Sequence, residues 1–235
     1  MNIKVSIIVT CHSAVEPYFE ECLESINSQV VKPHEVIVIV DGYNKPMIYP
    51  NTITVIRDKS KGVAYSRDQG VKIATGNYLL FIDADDVIPE NYIKEMVSSV
   101  MWKKADIVYP SGLLWCKWGT EAPKENAYFD PPETIILEDI LKRNCVLISS
   151  LMKKEIYEKI GGFDSDLIMF EDWYFFLKAF LLKYKFVRAS TFLKYRQRTL
   201  SRNHVNEDLK FHITEKIRKM IFDEYPKLKS KFKKK

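Results

Sequence analysis

Three carboxylates, Asp83, Asp85 and Asp86, crowd together where the apolar run Tyr78-Leu79-Leu80-Phe81-Ile82 ends. Like charges this close repel and raise one another's proton affinity, a cost that a hard divalent ion removes when carboxylate oxygens and a ligand's phosphates share it. The pattern points to Mn2+ or Mg2+ beside a diphosphate. The plainer explanation is that Asp86 caps the helix entered through Pro89 and that the other two are solvated turn residues. A second acidic pair, Glu171-Asp172, opens the apolar segment that runs to Leu182. Helix capping would account for it, and so would a general base whose neighbour lifts its proton affinity.

These side chains need elements to hold them. Val5 to Thr10 is β-branched and mostly apolar, as expected of a strand covered on both faces, and Glu35 to Val40 repeats the pattern before Asp41-Gly42. Ser13 and Glu16 have the form of a capping box, followed by Phe19, Cys22, Leu23, Ile26 and Val30 at helical spacing. Short strands are expected at Ile53 to Ile56, Tyr78 to Ile82 and Ile107 to Tyr109. Helices are expected over Gly62 to Ala74, with Val63, Gly70 and Ile73 inward, and over Tyr92 to Met101. Strand and helix alternate through the first hundred residues, the pattern of an α/β fold with a mostly parallel sheet and crossover helices. In such sheets ligands gather at the carboxyl ends of strands, where Thr10, His12, Asp41 and the acidic triplet lie.

The second half is less regular. Trp115 to Pro132 reads as a loop or lid, Leu137 to Arg143 as a short helix, Val146 to Met152 as a strand and Lys154 to Ile160 as a helix. A strand over Phe192 to Arg196 and a helix over Asn206 to Phe222 follow. At 235 residues, 46% hydrophobic and 29% charged, the chain suits one domain with a substantial core. The most apolar helix is too short to span a bilayer, and the N-terminus lacks the form of a secretory signal, so a cytoplasmic location is expected. Cys11, Cys22, Cys116 and Cys145 form no Cys-x-x-Cys pair and are expected to be thiols. The formal charge of +5 comes from the six lysines of Pro226 to Lys235; without them it is −1. That tail is either a solvated, disordered run or a contact for anionic membrane or nucleic acid.

Taken in order, several segments resemble the inverting family 2 glycosyltransferases, which have the GT-A fold. Val5 to Thr10 is similar to their first nucleotide-binding strand, and Glu35 to Gly42 to the second, with Val40-Asp41 where paired aspartates are usual. Gly62 to Gly70, Ala74 to Tyr78 and Phe81 to Asp86 resemble the segment leading into the DxD motif. Ser149 to Met152, Gly161-Gly162-Phe163-Asp164 and Glu171-Asp172-Trp173 look like the acceptor-side half. The resemblance implies a Rossmann-like sheet in a single domain over residues 1–225. A nucleotide-sugar-binding half covers 1–110, an acceptor and catalytic half 111–205 and a C-terminal helix 206–225, with the basic tail at 226–235.

The resemblance also implies roles. Thr10, His12 and Asp41 would contact base and ribose, and Arg67 would offer a cation to the nucleotide or diphosphate unless it forms a surface salt bridge with Asp68 or Glu16. Asp83 would organise the turn, Asp85 would contact ribose and metal, and Asp86 would ligate the metal. Asp172 would be the base, beside Glu171. Arg198 stands where relatives carry a histidine, with His204 as an alternative. Trp115, Trp118 and Trp173 either stack on sugar faces or pack in the core. A metal-dependent transfer from a UDP-sugar to a glycan, lipid-linked or nucleic-acid hydroxyl is the expected activity, hydroxymethylated bases of viral DNA being one acceptor. A nucleotidyltransferase would need a glycine-rich basic loop after the first strand, which is lacking. A non-catalytic nucleotide-sugar-binding module remains the other class.

Overall fold

The computed structural model describes residues 2–12, 16–42, 49–57, 59–117, 128–197 and 207–232. In chain order the first half contains β1 (Val5–Cys11), α1 (Glu16–Asn27), β2 (Glu35–Asp41), β3 (Ile53–Arg57), α2 (Val63–Ile73), β4 (Tyr78–Asp83), α3 (Tyr92–Lys103) and β5 (Ile107–Tyr109). The second contains β6 (Gly112–Lys117), β7 (Tyr128–Phe129), α4 (Leu137–Lys142), β8 (Leu151–Lys153), α5 (Lys154–Ile160), α6 (Glu171–Leu181), β9 (Phe186–Arg188), β10 (Phe192–Gln197), α7 (Glu207–Glu224) and α8 (Lys227–Phe232).

Seven strands form one sheet in the order β3-β2-β1-β4-β8-β5-β9, and β10-β6-β7 form a second. In the large sheet only β8 runs antiparallel to its neighbours β4 and β5. The apolar strands are explained by burial on both faces. Ile8, Ile37, Ile39, Leu79 and Phe81 point into a core shared with α2, α5, α6 and α7, while Ile7, Val9, Val38, Leu80 and Ile82 point into one shared with α1 and α3. After β3 the chain crosses back to place β4 on the other side of β1, so the crevice at the switch point opens between the ends of β1 and β4. There Thr10 is in register with Asp83.

Several boundaries differ from expectation. Val30 lies beyond α1 and is exposed, and Ile73 faces solvent while Ala64, Arg67, Gly70 and Val71 form the inner face of α2. The expected strand over Val146 to Met152 shrinks to β8, because the chain before it turns: Val146 N–H donates to Asn144 Oδ1 at 3.2 Å, and both Ser150 N–H and its hydroxyl donate to the Leu147 carbonyl. Trp115 belongs to strand β6 instead of a loop, and Trp118 is outside the described residues. The basic tail is helical over α8, with Leu228 packed on the core, rather than disordered throughout.

Candidate active site

The acidic turn is built by β1 and β4 together. Ala84 N–H donates to the Thr10 carbonyl at 3.3 Å, Asp86 N–H closes the turn onto the Asp83 carbonyl at 2.9 Å, and the Cys22 thiol supports that carbonyl from α1. Burial, with Asp86, Asp85 and Asp83 nearby, pushes the Cys22 thiol well up and keeps it a donor. From the other side β10 clips onto the turn: Val87 and Lys194 exchange two backbone hydrogen bonds of 3.0 Å. Arg196 donates from Nε to the Asp85 carbonyl at 3.2 Å, stacks on the Tyr18 ring and pairs with Glu21, fastening the turn to α1.

Asp86 is 1% exposed, and its backbone-donor partner, Arg196 N–H, is distant at 3.4 Å. Burial first, then the charges of Asp83 and Asp85, hold its carboxyl well above the usual range. A group in this state gains from a hard cation, and Asp85 is buried beside it. Among the described residues no three His, Cys, Asp or Glu side chains converge as a complete cation cage. Asp85 and Asp86 offer carboxylate oxygens, the donor class that hard divalent ions take, and a bound ion would need further oxygens from elsewhere.

Asp41, at the end of β2, accepts from Ser60 Oγ (2.9 Å), Lys61 N–H (3.1 Å) and Gly62 N–H (3.0 Å). It thus fixes the entry to α2, where Gly62 takes φ 90°, a conformation costly for any residue with a Cβ. His12 is exposed just beyond β1, and the Thr10 hydroxyl donates to Asp83 Oδ1 at 3.4 Å.

Arg67 does not form the surface salt bridge weighed for it. It is 4% exposed, and rather than forming a surface pair with Asp68 it spans two distant carboxylates: Nη2 to Asp83 Oδ1 at 2.8 Å and Nη1 to Glu171 Oε1 at 2.6 Å. Burial alone would favour its neutral form, but Asp83, Glu171 and Asp172 outweigh that and secure the cation. Asp68 instead accepts from the Tyr157 hydroxyl. One guanidinium thus joins the acidic turn after β4 to the acidic pair opening α6. Its Nε is buried without a hydrogen-bond partner.

Within that pair the two acids divide. Glu171, 6% exposed, is the counter-ion of Arg67. Asp172 is only partly covered, accepting from Trp173 N–H and from Asn144 Nδ2, both at 2.8 Å. Burial and the Glu171 charge push its carboxyl up to about 7, against the lowering effects of Arg67 and the two hydrogen bonds. Trp173 is a core residue, 2% exposed and donating from Nε1 to the Ile140 carbonyl at 2.6 Å, so stacking on a sugar is ruled out for it. Arg198 and His204 lie outside the described residues. Arg196 and Asn144 carried no motif in the sequence; only their placement next to the acids marks them.

Comparison with known proteins supplies the context. The family model described as "Glycosyl transferase family 2" matches residues 6–161. An uncharacterized glycosyltransferase of Bacillus subtilis, YwdF, is 30% identical over 75% of this chain and 68% of its own length. The glucosyl-dolichyl phosphate glucuronosyltransferase of Haloferax volcanii is 25% identical over 69% of this chain and 56% of its own. GlyG of Streptococcus pneumoniae is 29% identical over 46% of this chain and 38% of its own length. Among solved structures, S. aureus TarS 1-349 in complex with UDP-GlcNAc superposes with a TM-score of 0.66 over 87% of this chain and 61% of that one, at 19% identity. A UDP complex of the same protein gives 0.65. The fold is that of the GT-A enzymes, and with the family model matching more than half of its length the chain belongs to glycosyl transferase family 2.

Proposed function

We propose that this glycosyltransferase takes its sugar from a UDP-sugar and passes it to an acceptor hydroxyl in a single inverting displacement. The acceptor oxygen bonds to the anomeric carbon as the bond from that carbon to the diphosphate breaks. The electron pair leaves with the nucleoside diphosphate and the acceptor's proton goes to Asp172. A carboxyl pushed up to about 7 suits that task, since at neutral pH it is substantially ionised yet still basic.

Asp41 would accept from a ring N–H of the base, with Thr10 and His12 beside the ribose, and Asp85 and Asp86 would hold a divalent ion. Such an ion supplies neutralisation of the charge that grows on the departing diphosphate. Arg198, one residue past β10, would add a guanidinium to the same phosphates. A glycan or lipid-linked glycan is the acceptor class, in keeping with the dolichyl-phosphate relative.

The observation supporting this reading is the Arg67 bridge, which joins the acidic turn at the end of β4 to the acidic pair opening α6. The test is a panel of nucleotide sugars scored by thermal stabilisation with and without manganese, followed by transfer assays. Asp86→Ala is expected to lose the manganese-dependent stabilisation. Asp172→Asn should keep it and lose transfer by about 10²- to 10⁴-fold. Equal loss of both properties in both variants would overturn the assignment.

A further inference from the structure

We propose that Asn144 is a positioning residue that holds the Asp172 carboxylate in the rotamer from which it receives the acceptor's proton. This rests on the base role proposed above for Asp172. Asn144 follows α4 and is itself held: its Oδ1 accepts from Val146 N–H at 3.2 Å. A backbone N–H can only donate, so the atom facing it is the amide oxygen and the amide nitrogen must face the other way. That nitrogen lies 2.8 Å from Asp172 Oδ2.

The second carboxylate oxygen, Oδ1, accepts from Trp173 N–H, and the Trp173 indole is tied to α4 through the Ile140 carbonyl. The base is thus gripped at both oxygens by groups that α4 and α6 lock against each other. Neither donor can take a proton from the carboxylate, so both favour its ionised form. The charged groups acting on Asp172 are Glu171 on its own helix and Arg67 on α2. Asn144 is the neutral side chain among its partners, and it can be altered without touching either charge.

Asn144→Asp is the informative variant, because it keeps an oxygen for Val146 N–H while replacing the amide donor with a second acid. At pH 7 its kcat should fall about tenfold or more. The acid limb of its kcat profile should move up by about one unit relative to the parent. The donor KM should stay within about twofold. Asn144→Ser, which retains a small hydroxyl able to cap the turn, should fall in the same direction by less.

Combining Asn144→Asp with Asp172→Asn should give the residual rate of Asp172→Asn alone, since Asn144 acts only through that carboxylate. Parent-like kcat and acid limb in both Asn144 variants would overturn the proposal. So would a loss of rate that leaves the limb in place and follows a lowered thermal midpoint, or additive losses in the double variant. If Asp172→Asn itself retains transfer, the base assignment fails, and that result is read independently of Asn144.

Discussion

Arg67 settles a conflict that three acids create. Asp83 and Glu171 lie 88 positions apart in the sequence, yet each places an oxygen within 2.8 Å of the same guanidinium. The Arg67–Glu171 pair is buried and removing one member strands the other, a loss of up to about 3–5 kcal/mol, whereas water screens the Asp83 arm, whose side chain is 32% exposed. Arg67→Met is therefore expected to lower the unfolding free energy by about that amount, measured by urea denaturation. Arg67→Lys should cost less, because it keeps the charge and loses the fork. A loss below about 1 kcal/mol for Arg67→Met, the range of exposed pairs, would mean that water reaches the acids freely. The sequence offered Arg67 as a cation for the nucleotide or diphosphate, or as a surface pair with Asp68 or Glu16; the structure buries it instead. Its partners were not legible there, because they depend on how β4 and α6 meet, and Asn144 had no spacing or motif to announce it.

Helix α2 carries this cation, and its seating depends on a glycine. A Cβ on Gly70 would come within 2.4 Å of Ile8 Cγ2, on the central strand β1. Alanine improves helix propensity by about 1 kcal/mol, but overpacking against a strand costs about 1–3 kcal/mol and pushes α2 outward. Gly70→Ala should thus be destabilising on balance in urea titration and should raise the donor KM by displacing Arg67 and the Asp41-capped entry to the helix. Unchanged stability would show that α2 shifts without cost. The strands β1, β2 and β4 were legible as apolar runs because both faces are buried. Gly70 faces inward as expected, but Ile73 does not and Arg67 does, since no hydrophobic periodicity announces a buried ion pair. The turn before β8 was misread as strand because its Leu, Ile and Val content outweighs the local effects of Asn144 and Ser150.

At the scale of the whole molecule, the GT-A architecture was readable from strand and helix alternation combined with motif order. The end of the chain was not. Residues 226–235 read as a lysine tail, whereas α8 tucks Leu228 against the core that α7 completes through Ile213, Ile217 and Ile221. Truncation after Tyr225 should therefore lower the thermal midpoint through loss of about 1–2 kcal/mol of apolar burial, while donor stabilisation in the presence of manganese stays at the parent level. A fall in transfer to a lipid-linked acceptor, confined to low salt, would instead assign the lysines a role in acceptor capture. No helix among the described residues is long and apolar enough to cross a membrane.

The antiparallel strand β8 comes from the second half of the chain yet sits between β4 and β5 of the first. Any attempt to graft a relative's second half onto this chain would also replace a strand in the interior of the large sheet. A crossover between residues 110 and 150 would leave Leu80 and Val108, both in register with Leu151, flanking a foreign strand. Recombination should succeed only between parents whose version of that strand is interchangeable, and the place to judge compatibility is Leu151 and Met152, in register with β4 and β5.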